Sequence, residues 1–363
     1  MTWCSCWLVL AGPALSAPQI GKWPAEPEQS AANLSGLKKG LRKDLSGAVW
    51  NPVTRTLWVC RDGPRMDSRL WVFEEDGAGD LQLASDGELK GEWSQLGDCE
   101  GVAFADFEEK VVYLIVEGEE KIYELDVSQF GNVVVNRVYD TSPFLPLDGS
   151  AGAEGITFVP DEHLARSGFV DGDGLPRTSR RGMGGLMLVG HQNGGGIYAF
   201  DLDRSTGDVD YVGEYRVLAP HRPDTSTLSR VVGLEFDRSS GRLFAWHGLR
   251  NANLLSVIEL GSNAVDGEVF RAFESVRVYA GPGDRRFEGL ALVPDMDCGA
   301  LGRALFLTVD DGKDHSLFRY DHFAIGCVEA ESQWKAAPVP STEGQQVGEE
   351  KAGSPPSVPG PGK

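Results

Sequence analysis

Short apolar runs separated by polar turns fill most of the chain, and no stretch carries the spacing of a long amphipathic helix. One run recurs with its glycine in place: Leu45-Ser46-Gly47-Ala48-Val49-Trp50, Asp98-Cys99-Glu100-Gly101-Val102-Ala103-Phe104, Ala153-Glu154-Gly155-Ile156-Thr157-Phe158, Val231-Val232-Gly233-Leu234-Glu235-Phe236 and Phe287-Glu288-Gly289-Leu290-Ala291-Leu292. The glycines fall 54, 54, 78 and 56 residues apart. Within each interval a second apolar run follows a polar turn, as in Val111 to Val116 or Leu305 to Val309, and a third is amphipathic, as in Ile122 to Leu125 or Leu317 to Tyr320. Fourth runs are clearest at Asn132 to Tyr139 and Val209 to Tyr215.

Repeated units of four short strands predict an all-β chain forming a single β-propeller of about five four-stranded blades, with a degenerate sixth left open. The domain is expected over residues 32–328. The fifth unit has no fourth strand, whereas residues 32–43 belong to no repeat. That segment is expected to supply the missing outer strand, closing the ring and covering its edge. The long interval reads as an insertion over Asp161 to Gly184 on the opposite face from the recurring Glu-Gly pairs.

Hairpin geometry places the start of each first strand at the same end as the end of each second strand. Glu100, Glu154 and Glu288 should therefore share one propeller face with Arg61, Asp62, Glu117, His191, Gln192, Asn193, His247, Asp310 and Asp311. Converging carboxylates must take up protons or hold a cation. Calcium, which takes about six to eight oxygens, suits this inventory better than zinc. Glu100, Glu154, Glu288 and Asp310 are the metal candidates, the remaining groups lining the channel face. The alternative is that each glutamate caps backbone N–H groups of the neighbouring blade. His191 and His247 are candidate general bases, against the plainer reading of hydrogen-bonded turn histidines. Asp171-Gly172-Asp173-Gly174 lacks the distal glutamate of a calcium loop and reads as a turn.

Charge narrows the partners. With 54 acidic against 34 basic residues the net charge is −20, which argues against nucleic acid and anionic membrane surfaces and favours cationic groups. No later stretch is apolar for long enough to span a bilayer. A monomer is expected. Residues 1–17 have the apolar core and small-residue end of a signal peptide, without a preceding Lys or Arg. If that signal acts, the chain is secreted or enters a lumenal or periplasm-like compartment, and Asn33-Leu34-Ser35 is a glycosylation sequon. The mature chain keeps Cys60, Cys99, Cys298 and Cys327, which allow three pairings. Cys298 with Cys327 is the preferred disulfide, buried free thiols being the alternative. Residues 329–363, rich in Pro, Gly and Ser, have too little apolar content to fold.

The order of these motifs, with serine in the first unit, glutamate in the second, third and fifth and none in the fourth, resembles the SdiA-regulated family of β-propellers and, more distantly, the esterase-like or phytase-like propeller group. The resemblance spans roughly residues 32–326. It implies an exported propeller with a cation on its channel axis. Gluconolactonase-type propellers follow their metal-binding Glu-Gly with proline, and no Glu-Gly here is so followed. The expected function is an exported propeller that binds a small-molecule or protein ligand at its channel face, with a structural divalent cation, Ca2+ being the expected ion. The alternative is a metal-dependent hydrolase of ester or phosphoester bonds using His191 or His247.

Overall fold

The structure is a computed structural model describing residues 20–327, apart from 43, 64–67, 96, 130, 147–150, 219–227, 250–251, 284 and 311–314. The expected signal (1–17) and tail (329–363) lie outside the described residues.

Two short strands, β1 (Ile20–Gly21) and β2 (Ala32–Asn33), precede the repeats. Blade 1 comprises β3 (Leu45–Asn51), β4 (Thr56–Arg61), β5 (Arg69–Glu75) and β6 (Leu81–Gly91). Blade 2 comprises β7 (Asp98–Ala103), β8 (Val111–Glu117), β9 (Lys121–Asp126) and β10 (Asn132–Asp140). Blade 3 comprises β11 (Ala153–Pro160), β12 (Gly185–His191), β13 (Ile197–Leu202) and β14 (Val209–Arg216). Blade 4 comprises β15 (Val231–Asp237), β16 (Arg242–Leu249), β17 (Ala252–Ala264) and β18 (Arg271–Ala280). Blade 5 comprises β19 (Phe287–Leu292), β20 (Arg303–Val309) and β21 (Leu317–Phe323), with β2 antiparallel to β21 as its outer strand. The ring is thus a five-bladed propeller closed by an N-terminal strand.

That closing strand is only two residues long, and the packed chain starts earlier than residue 32. Upstream of it, β1 pairs in parallel with β18 of blade 4. Between them Trp23 packs its ring against Trp246, Tyr320 and Phe323, with centroids 5.5 to 6.0 Å apart. The N-terminal segment therefore staples blades 4 and 5 as well as completing one of them. Asn33 lies in β2; its amide bonds the His315 ring at 2.7 Å, while the Ser35 hydroxyl is buried and accepts from the Ser316 and Leu317 N–H groups.

Inner strands touch a neighbour on each face, so β3 and β15 are buried at every position, whereas the outer strand β10 alternates exposed and buried residues. Each pair of adjacent blades encloses its own apolar cluster. Val49 and Leu70 meet Val102 and Leu114; Tyr113 and Ile115 meet Phe158 and Val189; Leu188 and Ile197 meet Leu234 and Phe236; Phe244 and Trp246 meet Leu290 and Phe318; Trp50 and Leu57 meet Ala291 and Phe306. Burial of that kind contributes about 25 cal/mol per Å² of apolar surface.

At the axis the recurring glycines form a closed circuit. A Cβ on Gly47 would stand 2.6 Å from Gly101 Cα, one on Gly101 2.7 Å from the Glu154 carbonyl oxygen, and one on Gly155 2.6 Å from Leu234 N. On Gly233 it would collide with the Glu288 carbonyl, and on Gly289 with that of Ser46. The obstructing atoms are backbone and cannot swing aside.

The insertion in blade 3 contains α1 (Asp161–Ser167) and returns at Gly185, at the end of the blade opposite the Glu-Gly pairs. Asp171 Oδ1 accepts from the N–H groups of Asp173 and Leu175, which makes the Asp-Gly-Asp-Gly stretch an ordinary turn. Two disulfides are formed, Cys298–Cys327 and Cys60–Cys99. Among the described residues no helix is long and apolar enough to cross a membrane.

Gly155→Ala is expected to destabilise the fold by about 2 kcal/mol or more. Gly77→Ala, where a Cβ meets nothing within 4 Å, should stay within about 0.5 kcal/mol of the parent. Urea unfolding of the two variants compares them directly, and similar midpoints would contradict the close approach at the axis.

Candidate functional site

Each inner strand breaks register with its partner at the same place. The interruption falls between Leu45 and Ala48, Cys99 and Gly101, Ala153 and Gly155, Val231 and Gly233, and Phe287 and Leu290. The residues bulged out ahead of the glycines are Ser46, Glu100, Glu154, Val232 and Glu288. A bulge adds a residue to one strand and re-aims its side chain. The glycine lets the backbone crowd the axis, and the bulge turns the preceding residue there.

Glu100, Glu154 and Glu288 are buried, at 5%, 3% and 9% exposure, although they come from three different blades. Burial first, and then the Glu154, Glu288, Asp62 and Glu117 charges, hold the Glu100 carboxyl well above the usual carboxylate range. Burial and the Glu117 charge push Glu154 up to about 8, with Arg230 opposing. Burial, Glu154 and Asp310 raise Glu288, with Arg286 opposing. Asp62 is pushed up to about 7 by burial and by Asp98, Asp310 and Asp44. The Glu100 carboxyl lies close enough to share a proton with Glu154, which partly offsets the rise of Glu154. Gln192 Nε2 donates to Glu154 Oε1 at 2.7 Å.

The structure brings Glu100, Glu154, Glu288, Asp62, Glu117 and Asp310 into one electrostatic group. Asp310 follows β20 and pairs with Arg286 at 3.3 Å; Arg61 pairs with Asp44 at 3.2 Å. The two histidines differ from a pair of mouth-facing bases. His247 is fully buried, its Nε2 2.9 Å from Ser256 Oγ, and burial pushes its imidazole down to about 3. His191 is also fully buried, and its Nδ1 accepts from the Asn193 N–H at 3.0 Å. Asp311 lies outside the described residues.

Backbone capping between blades falls to other carboxylates. Glu117 Oε1 accepts from Gly152 N–H at 2.8 Å and Glu120 Oε2 from Ala153 N–H at 3.0 Å, anchoring the start of β11 to blade 2. Burial, then the Glu117 charge, pushes Glu120 up to about 7 against its backbone bonds. Glu120, Asp44 and Asp98 are the acidic groups that motif reasoning missed. The aspartates were within reach of it, each lying two residues before a bulge, whereas Glu120 sits in a turn with no counterpart in the other repeats.

At the far end of the axis an arginine bridges the blades. From blade 4, Arg238 reaches past blade 3 to donate to the Phe104 and Ala105 carbonyls of blade 2, at 2.6 and 3.0 Å. Its guanidinium lies 4.1 Å above the Phe107 ring and 5.5 Å from that of Phe158. Glu235, buried on β15, lies near the guanidinium, and burial and then the Asp237 charge hold its carboxyl well above the usual carboxylate range. The axial space between the inner strands is narrow, and Glu100 and Glu288 line it together with Ala48, Val102, Ile156, Leu234 and Leu290.

As a cation site the group is rich in oxygen and poor in geometry. Ser46 Oγ, at the blade 1 bulge, is buried with no hydrogen-bond partner among the described residues, as a reserved ligand atom would be. Yet among the described residues no three His, Cys, Asp or Glu side chains already stand in ligating positions. The donor set fits a hard cation, which would take the place of a proton shared by Glu100 and Glu154.

No family model matches the chain, and no curated protein matches it. Among solved structures it is similar to a chain of the nidogen/laminin complex, at 13% identity over 77% of each chain with a TM-score of 0.39. It is also similar to a putative 6-phosphogluconolactonase from Bacteroides fragilis, at 11% identity over 76% of this chain and 70% of that one, TM-score 0.38. A periplasmic gluconolactonase from Pseudomonas aeruginosa gives 13% identity over 70% and 62%, TM-score 0.36. Likeness at these scores carries no activity to this chain.

The raised carboxyls set a pH dependence. Glu154 titrates at an ordinary 4.5 when unfolded and at about 8 when folded, so between those values the native state binds more protons than the unfolded one. Stability of the cation-free chain should therefore fall as pH rises from 5 to 8. Glu154→Gln should flatten that fall. Calorimetric midpoints across this range in chelator test it, and a midpoint that climbs with pH would refute the arrangement.

Proposed function

We propose that the chain is an exported β-propeller, of the SdiA-regulated kind that its motifs resemble, which binds a ligand or partner at its carboxylate-lined face. A divalent cation is held there by Glu100, Glu154 and Glu288, with the Ser46 hydroxyl and Asp310 adjacent. The observation carrying this reading is the burial of three bulge carboxylates from three blades at one end of the axis. Buried like charges are unfavourable unless something neutralises them. Protons do so at low pH, and a hard cation does so above it. Bound there, the cation would present open coordination positions to a ligand arriving at the carboxylate face.

Export is supported by the two disulfides, which persist in oxidising compartments. The hydrolytic alternative asks for a proton acceptor beside the cation. His247, bonded to Ser256 and pushed down to about 3, is poorly suited to that task, and binding is the reading we adopt.

Calcium chloride added to chelator-treated protein at pH 8 should raise its unfolding midpoint and release protons, by the linkage between ligand binding and stability. Glu154→Gln should bind Ca2+ at least tenfold more weakly while keeping its fold. Calorimetric titration with Ca2+, Mg2+ and Mn2+ decides the matter: no heat and no midpoint change with any of them would remove the cation.

A further inference from the structure

Cys99 immediately precedes the bulged Glu100, and Cys60 stands two residues before Asp62. The two cysteines are fully buried and joined across blades 1 and 2, with Cα atoms 6.1 Å apart. Cys99 is the last residue of β7 in register before the bulge, opposite Val116; register resumes at Gly101 opposite Ile115. On the other side, Cys60 is held opposite Leu70 and Arg61 opposite Arg69. The bridge thus links the two backbones at the points where each leaves its ladder and delivers a carboxylate.

Those carboxylates repel. Asp62 is among the charges that oppose ionisation of Glu100, and Asp98 and Asp44 crowd Asp62 in turn. The repulsion is relieved by letting blades 1 and 2 part at this end. Besides the bridge, the described ties resisting that movement there include the Ser68 hydroxyl donating to the Gly97 carbonyl at 2.8 Å. A covalent link costs no charge neutralisation and does not depend on pH.

We propose that the Cys60–Cys99 disulfide is a positioning element of the channel-face site, holding the cation-site residue Glu100 in place against the neighbouring Asp62 of blade 1. The inference rests on the cation reading above. The second disulfide provides an internal contrast. Cys298 follows the turn Asp295–Asp297 between β19 and β20, and Cys327 follows β21, so Cys298–Cys327 lies at the opposite end of the propeller.

The test compares the full chain with Cys60→Ala/Cys99→Val and with Cys298→Ala/Cys327→Val, each paired substitution filling the space that the sulfur atoms leave. Calorimetric titration with Ca2+ at pH 8 should show at least a tenfold loss of affinity for the first variant and less than a twofold change for the second, although both unfold at lower temperature. Amide exchange should accelerate in the first variant at residues 61–63 and 98–102, and not at 154–156 or 288–290. Equal calcium affinities in the two variants, unchanged exchange at 98–102, or loss of cooperative unfolding in the first variant would each overturn the proposal, the last because it shows a global rather than a local role. If the parent chain itself binds no Ca2+, the cation reading fails, and the exchange pattern alone decides whether the bridge positions the mouth.

Discussion

The inner strands of the five blades approach the axis so closely that the residue facing the next blade has no room for a Cβ. Everything distinctive about the molecule follows from that crowding. Each of Gly47, Gly101, Gly155, Gly233 and Gly289 abuts backbone of its successor, and the circuit ends on the Ser46 carbonyl. Thr308 completes it, its hydroxyl accepting from Gly289 N–H and donating to the Ser46 carbonyl. A strand running straight through this constriction would send alternate side chains into a neighbour. The bulge one residue earlier relieves the conflict by taking that residue out of the ladder. Architecture therefore supplies five inward-directed positions at one end, whatever residues occupy them.

Occupancy turns architecture into electrostatics. Three glutamates at those positions would be ordinary on a surface; buried beside Asp62 and Glu117 they become groups that keep their protons to unusually high pH. The surrounding structure resists relaxation. Glu117 and Glu120 are tied to the N–H groups of Gly152 and Ala153, and the Cys60–Cys99 bridge holds the adjoining blades. At the far end, the charged staple between Arg303, fully buried, and Asp237, 2.7 Å away, joins blades 4 and 5. Strong buried pairing there contrasts with the crowded carboxyls at the mouth.

Much of this was legible in the sequence because the repeat encodes it. A glycine that recurs at nearly constant spacing reports a recurring steric constraint, and the residue before it reports the bulge. The outer strand from the N-terminus and the place of the blade 3 insertion also follow from strand counting. What escaped was contact without periodicity. Trp23 packs on Trp246 and Tyr320, and Arg238 crosses to the carbonyls of blade 2; neither is signalled by a motif, since each depends on which blades the closed ring brings face to face. His247 shows the opposite failure. Its position after the second-strand core predicts the channel face, yet β16 runs on to Leu249 and pairs with β17 through His247–Leu254, which keeps the imidazole inside the blade.

Departure from fivefold symmetry carries the remaining information. In blade 4 the bulge residue is Val232, and two residues before it stands Arg230 at φ +63°, the same left-handed conformation that Asp44 adopts at the equivalent place in blade 1. Such backbone is strained for a residue with a Cβ. Around the ring, the position two before the bulge is Asp44, Asp98, Gly152, Arg230 and Arg286. Geometry that repeats five times thus carries charge that does not: the position is acidic in blades 1 and 2, uncharged in blade 3 and basic in blades 4 and 5, where Arg230 and Arg286 oppose the raised carboxyls of Glu154 and Glu288. A site on a true fivefold axis would bind without preferred orientation. Here the potential has a direction across the mouth, rising from Asp44 and Asp98 of blades 1 and 2 toward Arg230 and Arg286 of blades 4 and 5.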